Sequence, residues 1–310
     1  MLKKTSKFLK LLVCFLLGVF IFSCTSDRPQ LNLKVNGEYP KRIVALEWVY
    51  VEDLLTLGIQ PVGVADITGY QQFVQIEPQL AEDVVDVGTR QEPNLEAIAE
   101  LEPDLIIGVQ FRHEYIKETL SKIAPTLLFN PYPPPPPQGI RQFDEMQATF
   151  LKIAETVGQA ERGKAILKQM HSNFDRISQQ LKGIGLDDAK FVLGQLPPIG
   201  PELRLFNESS MAVQILQEIG LNNLWEGNSN SFGFNSVWVE SLPQIETAHF
   251  FYISNESNPY LELLTDNSVW KNLKFVKDDL VYPLDGQTWL FGGPLSAELL
   301  GKNVIKNLVK

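Results

Sequence analysis

Two arginines that stand at the ends of predicted strands are the residues best suited to binding chemistry. Arg90 lies in the segment DVGTRQEPN directly after a short apolar strand, and Arg204 lies within LRLF, a strand that leads into a loop. Loops at strand ends are where α/β sheets present ligand-binding residues. A guanidinium stays charged and offers paired N–H donors to oxygen atoms, so both positions favour an oxygen-rich or anionic ligand. The alternatives are that Arg90 pairs with Glu92 or Glu96 at the surface and that Arg204 faces solvent.

Aromatic residues at the same strand ends offer apolar contacts to a ligand. Glu47 and Trp48 follow the first apolar strand, RIVAL, and Tyr50 comes two residues later. The ring of Trp48 or Tyr50 either packs on the organic part of a ligand or belongs to the core of the fold. The sequence leaves both possibilities open.

The motifs of familiar enzymes and metal centres are missing from the sequence. It contains no glycine-rich phosphate loop, no GxSxG and no HExxH. The three histidines, His113, His171 and His249, are far apart and lack the spacing of metal ligands. We therefore expect a protein that is not an enzyme, has no cofactor and holds no metal ion directly. An unfamiliar lipid-anchored hydrolase or a structural envelope protein is the competing class.

The composition is that of a folded, acidic protein. The chain has 310 residues, of which 44% are hydrophobic and 10% aromatic, so it can build two lobes with a core and is not a disordered chain. Its formal net charge is −10. This charge argues against a general nucleic-acid binder, because phosphate neutralisation needs a basic face.

The N-terminus predicts export and a lipid anchor. Four lysines occur within the first ten residues, an apolar run covers residues 11–22, and Ser23 and Cys24 follow. This order is that of a secretory signal, and the run is too short to span a bilayer. Ile21 to Cys24 resembles the lipobox of bacterial lipoproteins, in which the cysteine is lipidated and becomes the first mature residue. Cleavage after Ser23 removes Cys14 and the four lysines, which leaves Cys24 as the one cysteine and lowers the net charge from −10 to −14.

Short apolar strands alternate with short helices in two regions, which predicts two α/β lobes with one long helical segment between them. The helical segment shows apolar residues at spacings of three and four, with Gly158 as a break. The predicted organisation is a signal peptide (1–23), a tether (24–39), an N-terminal α/β lobe (40–139), a helical linker (140–182) and a C-terminal α/β lobe (183–310).

Four segments together resemble the ferric-siderophore-binding proteins of ABC importers. They are RIVALEWVYVEDLLTLGIQPVGVAD, DVGTRQEPNLEAIAELEPDLII, NSFGFNSVWVESL and TWLFGGPLSAELL, and the resemblance covers roughly residues 40–310. The relatives bind ferric hydroxamates or ferric dicitrate. The resemblance implies two lobes bridged by a long helix, a shallow ligand cleft between the lobes, and limited closure because the helix resists hinging.

The resemblance also implies which residues contact the siderophore. Arg90 matches an arginine that contacts the oxygens around the iron. Phe232 matches a large cleft aromatic that is often tryptophan, and Trp289 and Phe291 match another aromatic edge of the cleft. In FRHEY, Phe111, Arg112 and Tyr115 compete for the position of a ligand tyrosine. The full candidate set is Trp48, Arg90, Arg112, Tyr115, Arg204, Phe232, Trp289 and Phe291.

Two glutamates are implied to dock the transporter. Glu96 and Glu240 each open a helix in similar segments of the two lobes, NLEAIAELEPDLIIGV and WVESLPQIETAHFFYI. Each would meet an arginine of the two-fold permease, which works with its ATPase. The expected protein is therefore a monomeric receptor in the cell envelope, anchored to the membrane through lipid on Cys24. The alternative is a haem or corrinoid receptor of the same fold, and haem iron would call for an axial His, Tyr or Met.

Overall fold

The first sheet is entirely parallel and places its strand ends at one edge. The computed structural model describes residues 37–197, 200–254 and 258–309. Five strands lie in the order β3-β2-β1-β4-β5. They are β1 Ile43–Ala45, β2 Gly63–Val64, β3 Val85–Asp86, β4 Leu105–Val109 and β5 Thr126–Phe129. The chain order reverses between β1 and β4, and such a switch point opens a crevice beyond the carboxyl ends of the strands.

Helices connect these strands, and the first of them is buried on every side. The helices are α1 Trp48–Thr56, α2 Ile67–Phe73, α3 Leu95–Glu100, α4 Gln110–His113 and α5 Lys117–Ile123, with a 3₁₀ turn at Glu114–Ile116. All nine residues of α1 are buried, as expected for a helix enclosed by protein. The side chain of Glu47 caps this helix by accepting the Trp48 backbone N–H at 3.2 Å. We call the first sheet with these helices the N-terminal lobe.

The second sheet is mixed, because one of its strands runs antiparallel to its two neighbours. Its order is β11-β10-β6-β7-β9, with β8 paired to β6. The strands are β6 Lys190–Gln195, β7 Leu203–Phe206, β8 Asn222–Asn223, β9 Phe234–Val237, β10 His249–Ile253 and β11 Val281–Leu284. The helices are α8 Met211–Glu218, α9 Pro259–Asp266, α10 Ser268–Asn272 and α11 Lys274–Lys277, with a 3₁₀ helix at Val239–Ile245. We call this sheet with its helices the C-terminal lobe.

Two helices carry the chain from one lobe to the other. They are α6 Gln142–Thr156 and α7 Ala160–Gly183. The break between them contains Gly158, whose φ of +75° lies in the left-handed region that favours glycine. The 24 residues of α7 make a rod of about 36 Å. The two-lobed α/β fold with a long bridging helix, expected from the sequence, is confirmed.

A carboxylate from the N-terminal lobe caps the last helix, α12 Pro294–Leu308. No side chain of the N-cap residue Gly293 can do so. Instead, buried Glu52 of α1 accepts the Ser296 backbone N–H at 2.8 Å and the Ser296 hydroxyl at 2.6 Å. A Cβ atom on Gly292 would collide with Glu52, so glycine permits the close approach. Burial raises the pKa of the Glu52 carboxyl, although these hydrogen bonds oppose the rise.

The largest hydrophobic cluster runs through both lobes. It contains Ile43 and Leu105 of the first sheet, Phe150 of α6, and Phe191 and Phe251 of the second sheet, none of them exposed. Each buried side chain of this size stabilises the fold by about 1.5–3 kcal/mol. Two smaller clusters cover the outer faces of the sheets. A shared core opposes large hinge motions between the lobes, because opening it would expose apolar surface.

Candidate functional site

Three charged residues converge beyond the carboxyl ends of the first sheet. Glu47 follows β1, Arg90 lies after β3, and Arg112 lies in α4 directly after β4. One oxygen of Glu47, Oε1, accepts from Arg90 Nη1 at 2.8 Å, and the other, Oε2, accepts from Arg112 Nη1. Arg90 is 43 positions and Arg112 is 65 positions from Glu47 in the chain. The three residues meet because the carboxyl ends of parallel strands lie at the same edge of the sheet. The partner of Arg90 is therefore Glu47 and not Glu92 or Glu96.

The ring of Trp48 packs against the guanidinium of Arg90. The Cζ atom of Arg90 lies 3.4 Å from the centroid of the Trp48 ring, a stacked cation–π contact. The Trp48 indole N–H donates to the Asp66 carbonyl at 3.1 Å, and Asp66 Oδ2 lies 3.6 Å from Arg90 Nε. Trp48 is only 2% exposed. Trp48 therefore belongs to the buried core, and the face of its ring holds the Arg90 guanidinium.

His113 fixes the backbone of the loop that carries Arg90. Its Nδ1 accepts the Val109 N–H at 2.9 Å and its Nε2 donates to the Arg90 carbonyl at 2.8 Å. These two bonds require a neutral ring with the proton on Nε2. Burial lowers the pKa of His113, which agrees with the neutral form. Histidine spacing gave no hint of this role.

Tyr132 joins aromatic residues from the two lobes. Its ring centroid lies 5.7 Å from that of Phe111, 5.6 Å from that of Phe232 and 6.0 Å from that of Phe291. Phe232 is 53% exposed and Phe111 is 50% exposed, so both present apolar surface. Burial raises the pKa of the Tyr132 phenol, which keeps its proton as a donor. Tyr132 is not among the candidates that the sequence indicated.

Trp289 and Phe291 continue this aromatic wall. Their rings lie 5.3 Å apart, and Trp289 packs edge-on against Trp48 at 5.2 Å. The aromatic wall therefore extends from Phe232 to Trp48, the residue on which Arg90 stacks. Three of the aromatic candidates, Phe232, Trp289 and Phe291, belong to one connected surface together with Tyr132.

The structure separates the three competing residues of FRHEY. Arg112 joins the Glu47 cluster, and Phe111 packs on Tyr132. Tyr115 is 72% exposed, and its hydroxyl donates at 3.3 Å to the carbonyl of Gln91, the residue after Arg90. Arg112 and Phe111 are thus the residues of this segment that the fold brings to the site.

Arg204 lies beside the wall on β7. Its Cζ atom is 4.8 Å from the Phe234 ring, and its Nη1 donates to Gln195 Oε1 at 3.3 Å. Burial lowers the pKa of its guanidinium. Phe234 in turn contacts Phe232 and Phe291. Arg90 and Arg112 therefore share Glu47. Arg204, in the C-terminal lobe, is connected to the aromatic wall through its contact with Phe234.

The two glutamates expected to dock a transporter are exposed. Glu96 lies in the first turn of α3 and Glu240 in the first turn of the 3₁₀ helix Val239–Ile245. Within residues 37–197, 200–254 and 258–309, neither carboxylate takes part in an ion pair. Cys24 and the signal peptide lie outside the described residues.

The arrangement suits the binding of a compact, oxygen-rich molecule with an apolar shell. Guanidinium donors stand at one end and aromatic rings line the side. In the described part of the chain, no group of three or more His, Cys, Asp or Glu residues could hold a metal ion. No helix among the described residues combines the length and apolar character needed to cross a membrane.

Comparisons with known proteins agree with this geometry. The family model described as periplasmic binding protein matches residues 43–288. The Fe(3+)-citrate-binding protein YfmC of Bacillus subtilis is 31% identical over 270 residues, which cover 87% of this chain and 81% of the relative. The iron(3+)-hydroxamate-binding protein FhuD of Escherichia coli is 30% identical over 259 residues and 83% of each chain. The probable siderophore-binding lipoprotein YfiY of Bacillus subtilis is 28% identical over 94% of each chain.

A solved structure shares the fold over most of its length. The siderophore-binding protein FhuD of Vibrio cholerae, solved with Fe3+-Desferal, superposes with a TM-score of 0.78 at 25% identity, covering 87% of this chain and 98% of that one. The family match at residues 43–288 spans the bridging helices and parts of both lobes. The chain belongs to the periplasmic binding protein family, the substrate-binding components of ABC importers.

Proposed function

We propose that this protein captures a ferric siderophore of the hydroxamate or citrate class outside the cytoplasm and delivers it to an ABC permease. The observation that carries the proposal is the pairing of Arg90 and Arg112 at the switch point of the first sheet with an aromatic wall that includes Phe232 and Tyr132. The relatives named for ferric citrate and ferric hydroxamate binding support the ligand class.

The chemistry of a ferric chelate matches the two kinds of surface. Its carboxylate or hydroxamate oxygens accept hydrogen bonds, and charged donors make the strongest of these. Its organic backbone packs on exposed rings such as Phe111 and Phe232. The chelator holds the iron, so the protein needs neither a metal ligand nor a cofactor. No bond is made or broken, and the protein acts as a receptor that binds, docks and releases.

Haem or a corrinoid is the competing ligand, and the site favours it less. Haem iron calls for an axial ligand from the protein. Tyr132 lies on the aromatic wall and is of a suitable type, but its raised pKa opposes the phenolate that would bind ferric iron. The arginine donors are better matched to the oxygens of a siderophore.

Delivery needs a surface that remains free when the cleft is occupied. Exposed Glu96 and Glu240 lie in different lobes, and each begins a helical turn. A permease with two similar halves would meet one glutamate on each lobe of a monomeric receptor. We assign the units of this receptor to residues 40–139, 140–182 and 183–310, with a tether at 24–39.

Anchoring through Cys24 completes the proposal. A signal peptide at residues 1–23 would direct the chain across the membrane, and lipid on Cys24 would hold it at the cell envelope. The name of one relative, a siderophore-binding lipoprotein, supports this anchor.

Quenching of tryptophan fluorescence tests the ligand class. Purified protein is titrated with ferric dicitrate, ferrichrome, ferrioxamine B, haem and cyanocobalamin. At least one ferric chelate should quench in a saturable manner, because Trp48 and Trp289 lie at the site. The same titration of a Trp289→Phe variant assigns the signal. Saturable quenching by haem or cyanocobalamin alone would contradict the proposal.

A further inference from the structure

Arg90 and Arg112 share one buried carboxylate, that of Glu47. The side chain of Glu47 is 7% exposed and spans from Arg90 on one oxygen to Arg112 on the other. It also accepts the Trp48 N–H, which ties it to the start of α1. A short side chain held at three points cannot swing away to make room for a ligand. Glu47 is therefore a fixed component of the cleft.

The arginines keep donors for a ligand while they hold Glu47. Each guanidinium has five N–H donors, and each uses Nη1 on Glu47. The side chains of Arg90 and Arg112 are 17% and 22% exposed, so each retains an open edge. The site consequently offers several hydrogen-bond donors at fixed positions.

The cluster around Glu47 has many N–H donors but little net charge. Two guanidinium charges face the carboxylate of Glu47, and Asp66 Oδ2 lies 3.6 Å from Arg90 Nε. The sum of these four groups is close to zero. A chelate with little net charge can accept hydrogen bonds from these donors without electrostatic repulsion. A polyanionic chelate that binds Arg90 is repelled by the carboxylate of Glu47, whose Oε1 lies 2.8 Å from Arg90 Nη1. Specificity often depends on such a repulsive element.

We propose that Glu47 is a specificity-determining residue that shifts the cleft towards ferric chelates of low negative charge. The inference rests on the proposed function. It also changes what the arginine count alone would indicate, because several arginines without Glu47 would favour a citrate-based polyanion. Glu47 positions the guanidinium groups and at the same time cancels one of their charges.

Two chelates of different charge test the proposal. Ferric dicitrate, prepared with citrate in excess, is polyanionic, and ferrichrome is a neutral trihydroxamate. Kd is measured for both at one fixed ionic strength, because salt screens charge. Glu47→Gln removes the charge with little change of size and should lower the ratio of the ferric dicitrate Kd to the ferrichrome Kd about tenfold or more. Arg112→Gln leaves the carboxylate less compensated and should raise the same ratio.

Two further variants separate charge from positioning. Glu47→Asp keeps the charge and shortens the side chain, so both chelates should weaken by a similar factor at an unchanged ratio. Glu92→Gln removes an exposed carboxylate from the loop of Arg90 and should leave the ratio within about twofold. A merely structural role for Glu47 predicts that Glu47→Gln behaves like Glu47→Asp.

Each outcome has a defined meaning. An unchanged ratio in Glu47→Gln overturns the inference while wild-type binding upholds the proposed function. If the wild-type protein binds only ferrichrome, Glu47→Gln must gain measurable ferric dicitrate binding; if it binds only ferric dicitrate, that Kd must fall about tenfold. A wild-type protein that binds no ferric chelate overturns the proposed function and this inference with it.

Discussion

Replacing Glu52 by alanine should destabilise the protein strongly, because this side chain caps the last helix, α12. Glu52 is fully buried and accepts two hydrogen bonds from Ser296 at 2.8 and 2.6 Å. Removing it leaves the Ser296 N–H and hydroxyl without their acceptor, at about 1–3 kcal/mol for each buried group. Relief of the buried charge offsets part of this cost. We expect a loss of about 2–4 kcal/mol in the free energy of unfolding, comparable with a lost helix cap plus one buried hydrogen bond.

Urea unfolding followed by circular dichroism at pH 7 measures this loss. Glu52→Gln retains an acceptor for the backbone N–H and a donor for the hydroxyl, so its free energy of unfolding should lie within about 1 kcal/mol of the wild type. Glu100→Ala, at an exposed position of α3, should change it by no more than about 0.5 kcal/mol. The reasoning is refuted if Glu52→Ala is as stable as Glu100→Ala, or if Glu52→Gln loses as much as Glu52→Ala.

Three further predictions address the histidine, the docking surface and the anchor. Burial lowers the pKa of His113 below its ordinary 6.5, so the native state loses stability as the pH falls below 6.5. The stability advantage of wild type over His113→Gln should therefore narrow from pH 7 to pH 5 in urea titrations, and a constant advantage would contradict the neutral assignment. Glu96→Lys with Glu240→Lys should abolish iron uptake by cells while Kd for the chelate is unchanged; normal uptake would contradict a docking role for the two glutamates. Cys24→Ala should release the protein from the membrane fraction, and wild-type levels of membrane-bound protein would argue against the anchor.

The parts of the fold that the sequence predicted are those with local signals. Apolar runs such as Ile43–Ala45 and Leu105–Val109 are buried strands, since parallel sheets are covered on both faces. Gly158 marked the end of α6 because few other residues adopt a positive φ readily. The position of Arg90 after a strand was also readable from the sequence.

Partnerships across the chain were not predictable in the same way. Nothing local links Glu47 to Arg112, which lies 65 residues away. Tyr132 follows no periodic pattern, because the proline-rich loop around it has no regular structure, and its role depends on where the two lobes meet. The antiparallel pairing of β7 with β6 and β9 likewise depends on tertiary contacts and not on the strand sequences.

The role of the aromatic residues shows the same division. From the sequence, the aromatic side chains of Trp48 and Phe232 both predict an apolar surface for a ligand. Their different burial in the fold gives them different roles. Trp48 is 2% exposed and its ring stacks on Arg90, whereas Phe232 is 53% exposed and presents apolar surface on the aromatic wall. Sequence alone could not assign these exposures, because both residues flank short elements at lobe edges.

Calorimetric titration of the Arg90→Ala variant tests the central claim most directly. The titrant is whichever ferric chelate quenches the wild-type protein, and circular dichroism verifies that the variant is folded. Arg90 is held by Glu47 and Trp48, and its side chain is 17% exposed, which leaves part of the guanidinium open to chelate oxygens. Loss of a charge-assisted hydrogen bond of about 1.5–3 kcal/mol should raise Kd about ten- to hundredfold. An unchanged Kd in a folded Arg90→Ala protein would contradict a siderophore site at this end of the cleft.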